Sequence, residues 1–439
     1  MKRLLRGGRV VDPANGVDGA FDVLIDGDRI ARVGRDLPVE DGVQVIEVPQ
    51  GFVVVPGLID MHVHLREPGQ EHKETIATGV RSAVAGGFTA VACMPNTTPV
   101  NDSASITELM LKKASEANLA RVYPIGAVSR GSQGELLADI AELHQAGCCA
   151  ISDDGRPVAT ALLMRRALEY ASMFDLPVID HCEDVSLKGD GVAHEGFVAS
   201  TLGLRGLPAA AETIMVQRDV TLAGLTGGHF HLAHMSVRGA LRAVREGKAQ
   251  GFPVTCEVAP HHFVLTDRHL ESPIQYDTNC KMNPPLREQA DVDAMIQGIV
   301  DGSVDVISTD HAPHNADEKF QEFDRAPFGI VGLETCVPLV FDRLVHAGHI
   351  SLRRAVELLS VNPARIIRRP GGSLAEGQVA DITVLAPDAT VTVVASKLLS
   401  KSKNTPFDGW TLRGAAAVTI VGGRTVYTNP DVALAATFA

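Results

Sequence analysis

The sequence predicts an α/β protein in which a (β/α)8 TIM barrel carries a small β-sandwich domain formed by both chain termini. Eight apolar stretches rich in Val, Ile, Thr and Ala recur through the middle of the chain, and helical patterns separate most of them. Shorter alternating stretches occupy both ends. We therefore expect a small β domain from residues 1–53 and 370–439 and a barrel from residues 54–369. A doubly wound parallel sheet is the alternative, because it would show the same alternation.

The hydrophobic pattern at the two ends of the chain differs from the pattern in its middle. The terminal stretches alternate apolar and polar residues, as half-buried strands do, and Asn15-Gly16 and Asp26-Gly27-Asp28 provide turns between them. The predicted barrel strands are 53–64, 88–96, 121–128, 147–154, 176–184, 228–235, 252–262 and 304–314. The predicted helices are 71–86, 103–118, 133–146, 159–174, 208–224, 236–247 and 289–301.

Composition and charge restrict the classes of partner. The 439 residues are 45% apolar and 21% charged, which is typical of a globular protein, and the net charge is −13. That charge argues against nucleic acid or an anionic membrane surface, and an anionic substrate would need local positive groups. No stretch has the ~20 apolar residues of a membrane span. The seven cysteines lack Cys-x-x-Cys spacing, so we expect reduced thiols and a cytoplasmic protein.

The stretch VVVPGLIDMHVHLR, residues 53–66, contains the clearest candidate site. Residues two apart in a strand point the same way, so His62 and His64 would project together from the end of a buried strand. Imidazoles in this arrangement can serve as a pair of metal ligands. Arg66 follows two residues later, where the strand should give way to a loop.

Other chemically active side chains also follow predicted barrel strands. In a (β/α)8 barrel the carboxyl ends of all the strands meet at one rim, so these side chains should converge there. They are Asn96, Asp153, Asp154, His181, His234, Asp310 and His314.

Four histidines and two aspartates suit Zn²⁺ but exceed the ligands of one tetrahedral ion. Asp154 could bridge two ions. The first ion would have as ligands His62, His64, Asp154 and Asp310. The second would have Asp154, His181 and His234. Two such ions activate a shared water to hydroxide, which can attack an amide, and Asp310 on the last strand is the expected proton carrier. Asp153 remains the alternative bridge, because alternation does not fix the register.

Arg66 suggests the kind of substrate. A guanidinium group recognises a carboxylate through two parallel hydrogen bonds, so Arg66 could hold an acidic substrate close to the metal ligands. The alternative is a local salt bridge with Glu67.

Two stretches, DMHVHLREPG (60–69) and ISTDHAPH (307–314), resemble the signature sequences of the dihydroorotases, which belong to the cyclic amidohydrolase superfamily. The resemblance covers essentially the whole chain. REPG and NPPLR favour dihydroorotases over their relatives. The further matching stretches are MPNTTP (94–99), EVAPHH (257–262), KMNPPLR (281–287) and APFGIVGLET (326–335).

The resemblance implies reversible hydrolysis of (S)-dihydroorotate to N-carbamoyl-L-aspartate, the third step of pyrimidine synthesis. It implies that His62 and His64 bind the first metal, that His181 and His234 bind the second, and that Asp310 is the catalytic base. It also implies a set of substrate contacts, with residues 315–327 as a loop near the mouth. Those contacts are His64, Arg66, Asn96, Asn283, His314 and the backbone of Phe328 and Gly329.

The fourth predicted barrel strand, residues 147–154, differs from the same strand in several relatives of the superfamily. Hydantoinases, allantoinases and one class of dihydroorotases bridge their metals with a carboxylated Lys there, whereas residues 151–155 contain none. The chain therefore resembles the bacterial class that bridges with Asp, with two zinc ions or one. A catalytically inactive scaffold for aspartate carbamoyltransferase is disfavoured because all the ligands are present. We expect a homodimer, and the resemblance also allows a complex of the active enzyme with that transferase.

Overall fold

A computed structural model describes residues 2–432. The predicted C-terminal segment of the small domain, 370–439, therefore ends in seven residues, 433–439, that lie outside the described part. No helix among the described residues is long and apolar enough to cross a membrane.

Residues 2–56 form seven short strands. Val53–Pro56 pairs with strands from both termini, so the predicted domain boundary between residues 53 and 54 falls inside this strand. The strands are β1 (Lys2–Arg6), β2 (Arg9–Asp12), β3 (Val17–Ala20), β4 (Asp22–Asp26), β5 (Arg29–Gly34), β6 (Gln44–Glu47) and β7 (Val53–Pro56).

The middle of the chain supplies ten strands, of which eight form a parallel barrel. The ten are β8 (Leu58–Val63), β9 (Phe88–Cys93), β10 (Arg121–Pro124), β11 (Ile151–Ser152), β12 (Val178–Asp180), β13 (Ala193–His194), β14 (Gly206–Leu207), β15 (Phe230–Leu232), β16 (Val254–Val258) and β17 (Val306–Ile307). Sheets β10-β9-β8 and β11-β12-β15-β16-β17 are joined by the bridges Gly126–Ile151 and Val63–His311, which complete the ring. The predicted (β/α)8 barrel is confirmed. The strands β13 and β14 pair with each other in an insertion after β12.

The helices surround the barrel, and apolar side chains cover both faces of its strands. They are α1 (Ile76–Ala85), α2 (Ala104–Ala117), α3 (Ile140–Ala146), α4 (Ala161–Ser172), α5 (Val185–Lys188), α6 (Phe197–Leu202), α7 (Ala209–Thr226), α8 (Arg238–Ala249), α9 (Pro260–Val264), α10 (Gln289–Asp301), α11 (Ala316–Lys319), α12 (Cys336–Val340), α13 (Leu352–Val356) and α14 (Asn362–Ile367). Two π-helical segments, Phe341–Val345 and Glu357–Val361, continue α12 and α13.

The C-terminal strands complete a two-sheet sandwich with the N-terminal ones. They are β18 (Ile382–Thr392), β19 (Thr411–Val421) and β20 (Arg424–Thr428). The sheet orders are β5-β4-β1-β6 and β20-β19-β18-β7-β2-β3. Both sheets contribute to one apolar cluster that includes Val23, Ile46, Val54 and Ile382. The predicted β-sandwich from both termini is therefore present.

Candidate active site and metal centre

The carboxyl ends of the barrel strands surround a cavity of about 320 Å³. All the sequence-predicted site residues line this cavity except His62, which is fully buried beside them, and Asp153, the alternative bridge. The lining residues are His64, Arg66, Asn96, Asp154, His181, His234, Asn283, Asp310, His314, Phe328 and Gly329. Residues up to 267 positions apart in the sequence thus meet at the rim where the predicted barrel brings them together.

His62 and His64 project together from the end of β8, as strand alternation predicts. Nδ1 of His62 donates a hydrogen bond of 2.5 Å to Glu257 Oε1, and Nδ1 of His64 donates one of 2.8 Å to Asn96 Oδ1. These bonds fix both tautomers, so that each Nε2 is the nitrogen available to a metal ion.

The two adjacent aspartates after β11 have different surroundings. The Asp154 carboxylate lies among the histidines, with Oδ1 3.5 Å from His62 Nε2 and Oδ2 3.5 Å from His64 Nε2. Burial alone would raise the pKa of Asp154, but the neighbouring imidazoles of His62 and His234 hold that pKa well below its usual value. The Asp153 carboxylate instead accepts hydrogen bonds from the backbone N–H groups of Val128 and Ser129, at 2.9 and 3.0 Å.

His181 and His234 approach from β12 and β15. Their Nδ1 and Nε2 atoms, respectively, are 2.9 Å apart. Asp154 Oδ1 lies 3.5 Å from His234 Nε2 and 3.9 Å from His181 Nδ1. Asn283 Nδ2 lies 3.1 Å from Nε2 of His181, which puts the predicted substrate contact beside the second pair of histidines.

Asp310 closes the ring of donor atoms from the last strand. Its Oδ1 lies 3.2 Å from His64 Nε2 and 3.5 Å from His62 Nε2. Burial would raise the pKa of Asp310, yet the adjacent imidazoles of His64 and His62 hold that pKa well below its usual value. The group is therefore an ionised carboxylate at neutral pH, ready to accept a proton. The side chain of its neighbour His311 points away, toward Gly332 N–H and Glu74.

The spacing of these donors fits a metal ion. Nitrogen and oxygen ligands lie about 2.0–2.2 Å from a tetrahedral zinc ion, so neighbouring donors are about 3.3–3.5 Å apart. His62, His64 and Asp310 form one such group, and His62, Asp154 and His234 form another. Among the described residues, His62 Nε2 and Asp154 Oδ1 are buried and lack a hydrogen-bond partner. Buried polar atoms left in this way require another ligand, and a cation satisfies both.

Three site residues adopt a backbone conformation that side chains rarely tolerate. Arg66, His234 and Asp310 have φ angles of 61°, 29° and 50°. Non-glycine residues in this left-handed region carry strain, which surrounding structure must hold in place and which concentrates at functional sites.

Arg66 and His314 line the cavity together, and we call this pair of side chains the cationic wall. Arg66 is 8% exposed, donates from Nε to the Pro313 carbonyl at 3.2 Å, and has no carboxylate within ion-pair distance among residues 2–432. The alternative salt bridge with Glu67 is not formed, because Glu67 pairs with Lys113 at 3.6 Å. A buried guanidinium without an acidic partner favours an anionic ligand.

His314 belongs to the same wall. Its Nε2 donates to the Phe328 carbonyl at 2.8 Å, and Nη2 of Arg66 lies 3.4 Å from that nitrogen. Burial and the charges of Arg66 and Lys73 lower the pKa of His314 to about 2, so the imidazole is neutral. A neutral imidazole recognises a substrate by hydrogen bonding without adding a charge.

Sequence reasoning missed two functional candidates. Glu257 is 1% exposed and fixes His62, and its signal was an acidic residue inside the apolar run that forms β16. Lys188, from α5, lines the cavity and pairs with Glu183 at 2.7 Å. Its insertion has no barrel periodicity, so no sequence pattern predicted it. Lys188 adds positive charge to the cavity of a protein whose net charge is −13.

Comparison with known proteins agrees with this geometry. Residues 51–240 match the family model described as dihydro-orotase-like, and residues 331–427 match that of the amidohydrolase family. A dihydroorotase of Syntrophotalea carbinolica is 52% identical over 431 residues, which cover 98% of this chain and 100% of the relative. A dihydroorotase of Anaeromyxobacter sp. (strain K) is 54% identical over 423 residues, 96% of this chain and 97% of the relative.

Solved structures with the same fold are more distant in sequence. The L-hydantoinase (dihydropyrimidinase) of Arthrobacter aurescens superposes with a TM-score of 0.87 at 23% identity, covering 99% of this chain and 98% of that one. The dihydropyrimidinase of Brevibacillus agri gives a TM-score of 0.85 at 24% identity, covering 98% and 95%. These likenesses establish the fold.

Proposed function

The chain belongs to the dihydroorotase family of cyclic amidohydrolases, and from that premise we propose how its residues carry out the reaction. The reaction is the reversible hydrolysis of the ring amide of (S)-dihydroorotate to N-carbamoyl-L-aspartate, the third step of de novo pyrimidine biosynthesis. The enzyme acts on a small molecule and depends on a metal. The observation that carries the assignment to an acidic cyclic amide is the buried Arg66, which has no carboxylate within ion-pair distance among residues 2–432 and lines the same cavity as the metal-binding donors.

The substrate carboxylate binds to Arg66, Asn96 and His314. Arg66 supplies the charge and the Asn96 amide a hydrogen bond, while the neutral His314 lies 3.4 Å from Nη2 of Arg66. Asn283, His64 and the backbone of Phe328 and Gly329 contact the ring. The ring amide then faces the donor cluster, because all these groups line one cavity of about 320 Å³.

We propose two zinc ions per chain. His62, His64 and Asp310 would hold the first and His181 and His234 the second, with Asp154 as the ligand common to both. One tightly held zinc with a weaker second is the variant of this proposal. When bound, the metal lowers the pKa of water and polarises the amide carbonyl. Glu257 and Asn96 keep the two β8 imidazoles in the tautomers that such binding needs.

Asp310 moves the proton. Its ionised carboxylate accepts a proton from the attacking water at Oδ1 or Oδ2 and delivers it to the ring nitrogen as the C–N bond breaks. In the biosynthetic direction the same group takes a proton from the carbamoyl nitrogen as the ring closes. The low pKa of Asp310 keeps it ionised before each transfer.

The remaining proposals concern organisation. We propose a homodimer, since two-fold dimers are the commonest oligomers, and an association with aspartate carbamoyltransferase, whose product is the substrate for ring closure.

Residues 1–53 and 370–439 form the small domain and 54–369 the catalytic one, with β7 shared at their junction. We propose a cytoplasmic location, since all seven cysteines lie within the described residues as buried thiols.

Purified, metal-loaded protein assayed with dihydroorotate, hydantoin and allantoin tests the proposed activity. We expect turnover of dihydroorotate and little or none of the two uncarboxylated amides. Preferential turnover of hydantoin or allantoin would contradict the role of Arg66. The same panel with Asp310→Asn protein controls for contaminating hydrolases.

A further inference from the structure

A segment between β18 and β19, residues 398–407, crosses from the sandwich to the barrel mouth, and we call it the C-terminal strap. Two carboxylates of the barrel, the buried Glu74 and the half-buried Glu334, hold its backbone. Glu334 accepts a hydrogen bond from Ser400 N–H at 3.0 Å, and Glu74 accepts one from Lys401 N–H at 3.1 Å. Ser400 Oγ also donates to Glu74. These anchors fix the strap against the catalytic domain.

Asn404 is the strap residue that reaches the site. Its Oδ1 accepts a hydrogen bond from His314 N–H at 3.1 Å, and its Nδ2 donates to the carbonyls of Ala312 and Gly329 at 3.0 and 3.1 Å. Its own backbone carbonyl accepts from Val331 N–H at 2.9 Å. Asn404 is 5% exposed and does not line the catalytic cavity.

These four bonds join two chain segments that form different walls of the cavity. Residues 312–314 end at His314, which belongs to the cationic wall. Residues 329–331 begin at Gly329, whose backbone is proposed to contact the substrate ring. The side chain at this position supplies two N–H donors and one acceptor oxygen to these backbone groups, and only a primary amide offers that combination. Aspartate would set a charge against two carbonyls. Alanine would leave the His314 N–H and the Ala312 carbonyl without partners, whereas the Gly329 carbonyl would keep its bond from Lys319 Nζ.

We propose that Asn404 is a positioning residue that sets the spacing between these two walls and so determines affinity for a carboxylated cyclic amide. The proposal rests on the proposed function and deepens it, since it names a residue of the sandwich that controls substrate recognition. Asn404 acts through His314 and Gly329 and leaves the metal-binding donors untouched.

Asn404→Ala tests the proposal, with Asn429→Ala as the matched control. Asn429 is another sandwich asparagine, and its Nδ2 donates to Ala416 O at 3.0 Å away from the cavity. We expect Asn404→Ala to raise the KM for dihydroorotate about tenfold or more with a smaller change in kcat, the scale of losing buried hydrogen bonds. Hydrogen exchange of the amides in 312–314 and 329–331 should also become faster. Asn429→Ala should change neither, and metal content should match wild type in both.

An unchanged KM together with unchanged exchange in these two segments would overturn the proposal. If Asn404→Ala fails to fold, Ser402→Ala replaces it, because Ser402 Oγ tethers the strap to Lys73 O at 2.7 Å without touching the site. The same shifts, smaller in size, are expected, and their absence would overturn the proposal equally. A wild-type enzyme that does not turn over dihydroorotate would refute the proposed function, whereas the exchange measurement would still decide the role of the strap.

Discussion

Asp153 and Asp154 are neighbours in the chain, yet their carboxylates have separate tasks. Asp154 Oδ1 lies 3.5 Å from His62 Nε2, inside the donor cluster. Asp153 Oδ1 accepts hydrogen bonds from the backbone after β10, which ties two barrel strands together. Successive residues at the end of a strand point to opposite sides, so only one of the pair can face the cavity.

Replacing each aspartate by asparagine should therefore give different results. Asp154→Asn should lose at least one metal ion per chain and most activity, because a neutral amide is a poor bridging ligand. Asp153→Asn should keep its metal and lose thermal stability instead, because the backbone amides lose a charged acceptor. Metal analysis and thermal unfolding on the same samples distinguish the two. Full metal occupancy in Asp154→Asn would remove it as the bridge.

Asp310→Asn should lower kcat by about 10²–10⁴-fold, the usual contribution of a positioned proton carrier. Two of its neighbours in the donor cluster, His62 and His64, stay in place, so most of the metal should remain bound. The measurement is kcat with metal content on one preparation. Near-wild-type turnover with metal retained would refute the assignment of Asp310 as the proton carrier.

Arg66→Ala should lower kcat/KM for dihydroorotate by roughly 10- to 150-fold, which corresponds to ~1.5–3 kcal/mol for lost hydrogen bonds to a charged group. Arg66→Lys keeps the charge but loses the planar fork, so it should recover only part of the loss. Steady-state kinetics of the two variants distinguish the contribution of the positive charge at position 66 from that of the planar guanidinium. Equal kinetics in wild type and Arg66→Ala would exclude Arg66 from the substrate site.

Glu257→Gln should weaken metal binding by about 10–100-fold, the usual cost of losing a carboxylate that orients a histidine ligand. The glutamine keeps the shape but no longer holds the His62 imidazole by a charged acceptor. Competition with a chelator gives the affinity directly. Unchanged affinity would mean that His62 is oriented by packing alone.

The buried Glu74 should make stability depend on acid pH. Burial would raise its pKa, but the interaction with His311 and the hydrogen bond from Ser400 Oγ hold the pKa below the ordinary 4.5. A carboxyl group whose pKa is lower in the folded than in the unfolded protein stabilises the fold at pH values above its unfolded-state pKa. This contribution disappears as the pH falls below about 4.5. The free energy of unfolding should therefore fall on acidification. Glu74→Gln should make that decline shallower, and an unchanged slope would contradict the assignment.

The residues at the strand ends were predictable because a barrel gathers them at one rim. His62, His181 and Asp310 each follow an apolar run, and one topological rule brings them together. The predicted stretches were longer than the strands, since β17 covers only Val306–Ile307 inside the predicted 304–314.

Two other features could not be read from local pattern. α1 begins at Ile76 rather than 71, because Thr75 caps it and the preceding residues form the loop after Arg66. Asn404 meets His314 across 90 residues, in a segment without apolar periodicity. Hydrophobic period predicts which side of an element is buried, but it does not say which distant polar groups will satisfy each other.

Zinc titration of metal-free protein, with dihydroorotate turnover measured at each addition, tests the central claim most directly. We predict that turnover is absent without metal, rises with added zinc, and stops rising near two equivalents per chain. A plateau at one equivalent would favour the single-zinc variant. Turnover that is independent of zinc, or no turnover of dihydroorotate at any metal load, would contradict the account of this site.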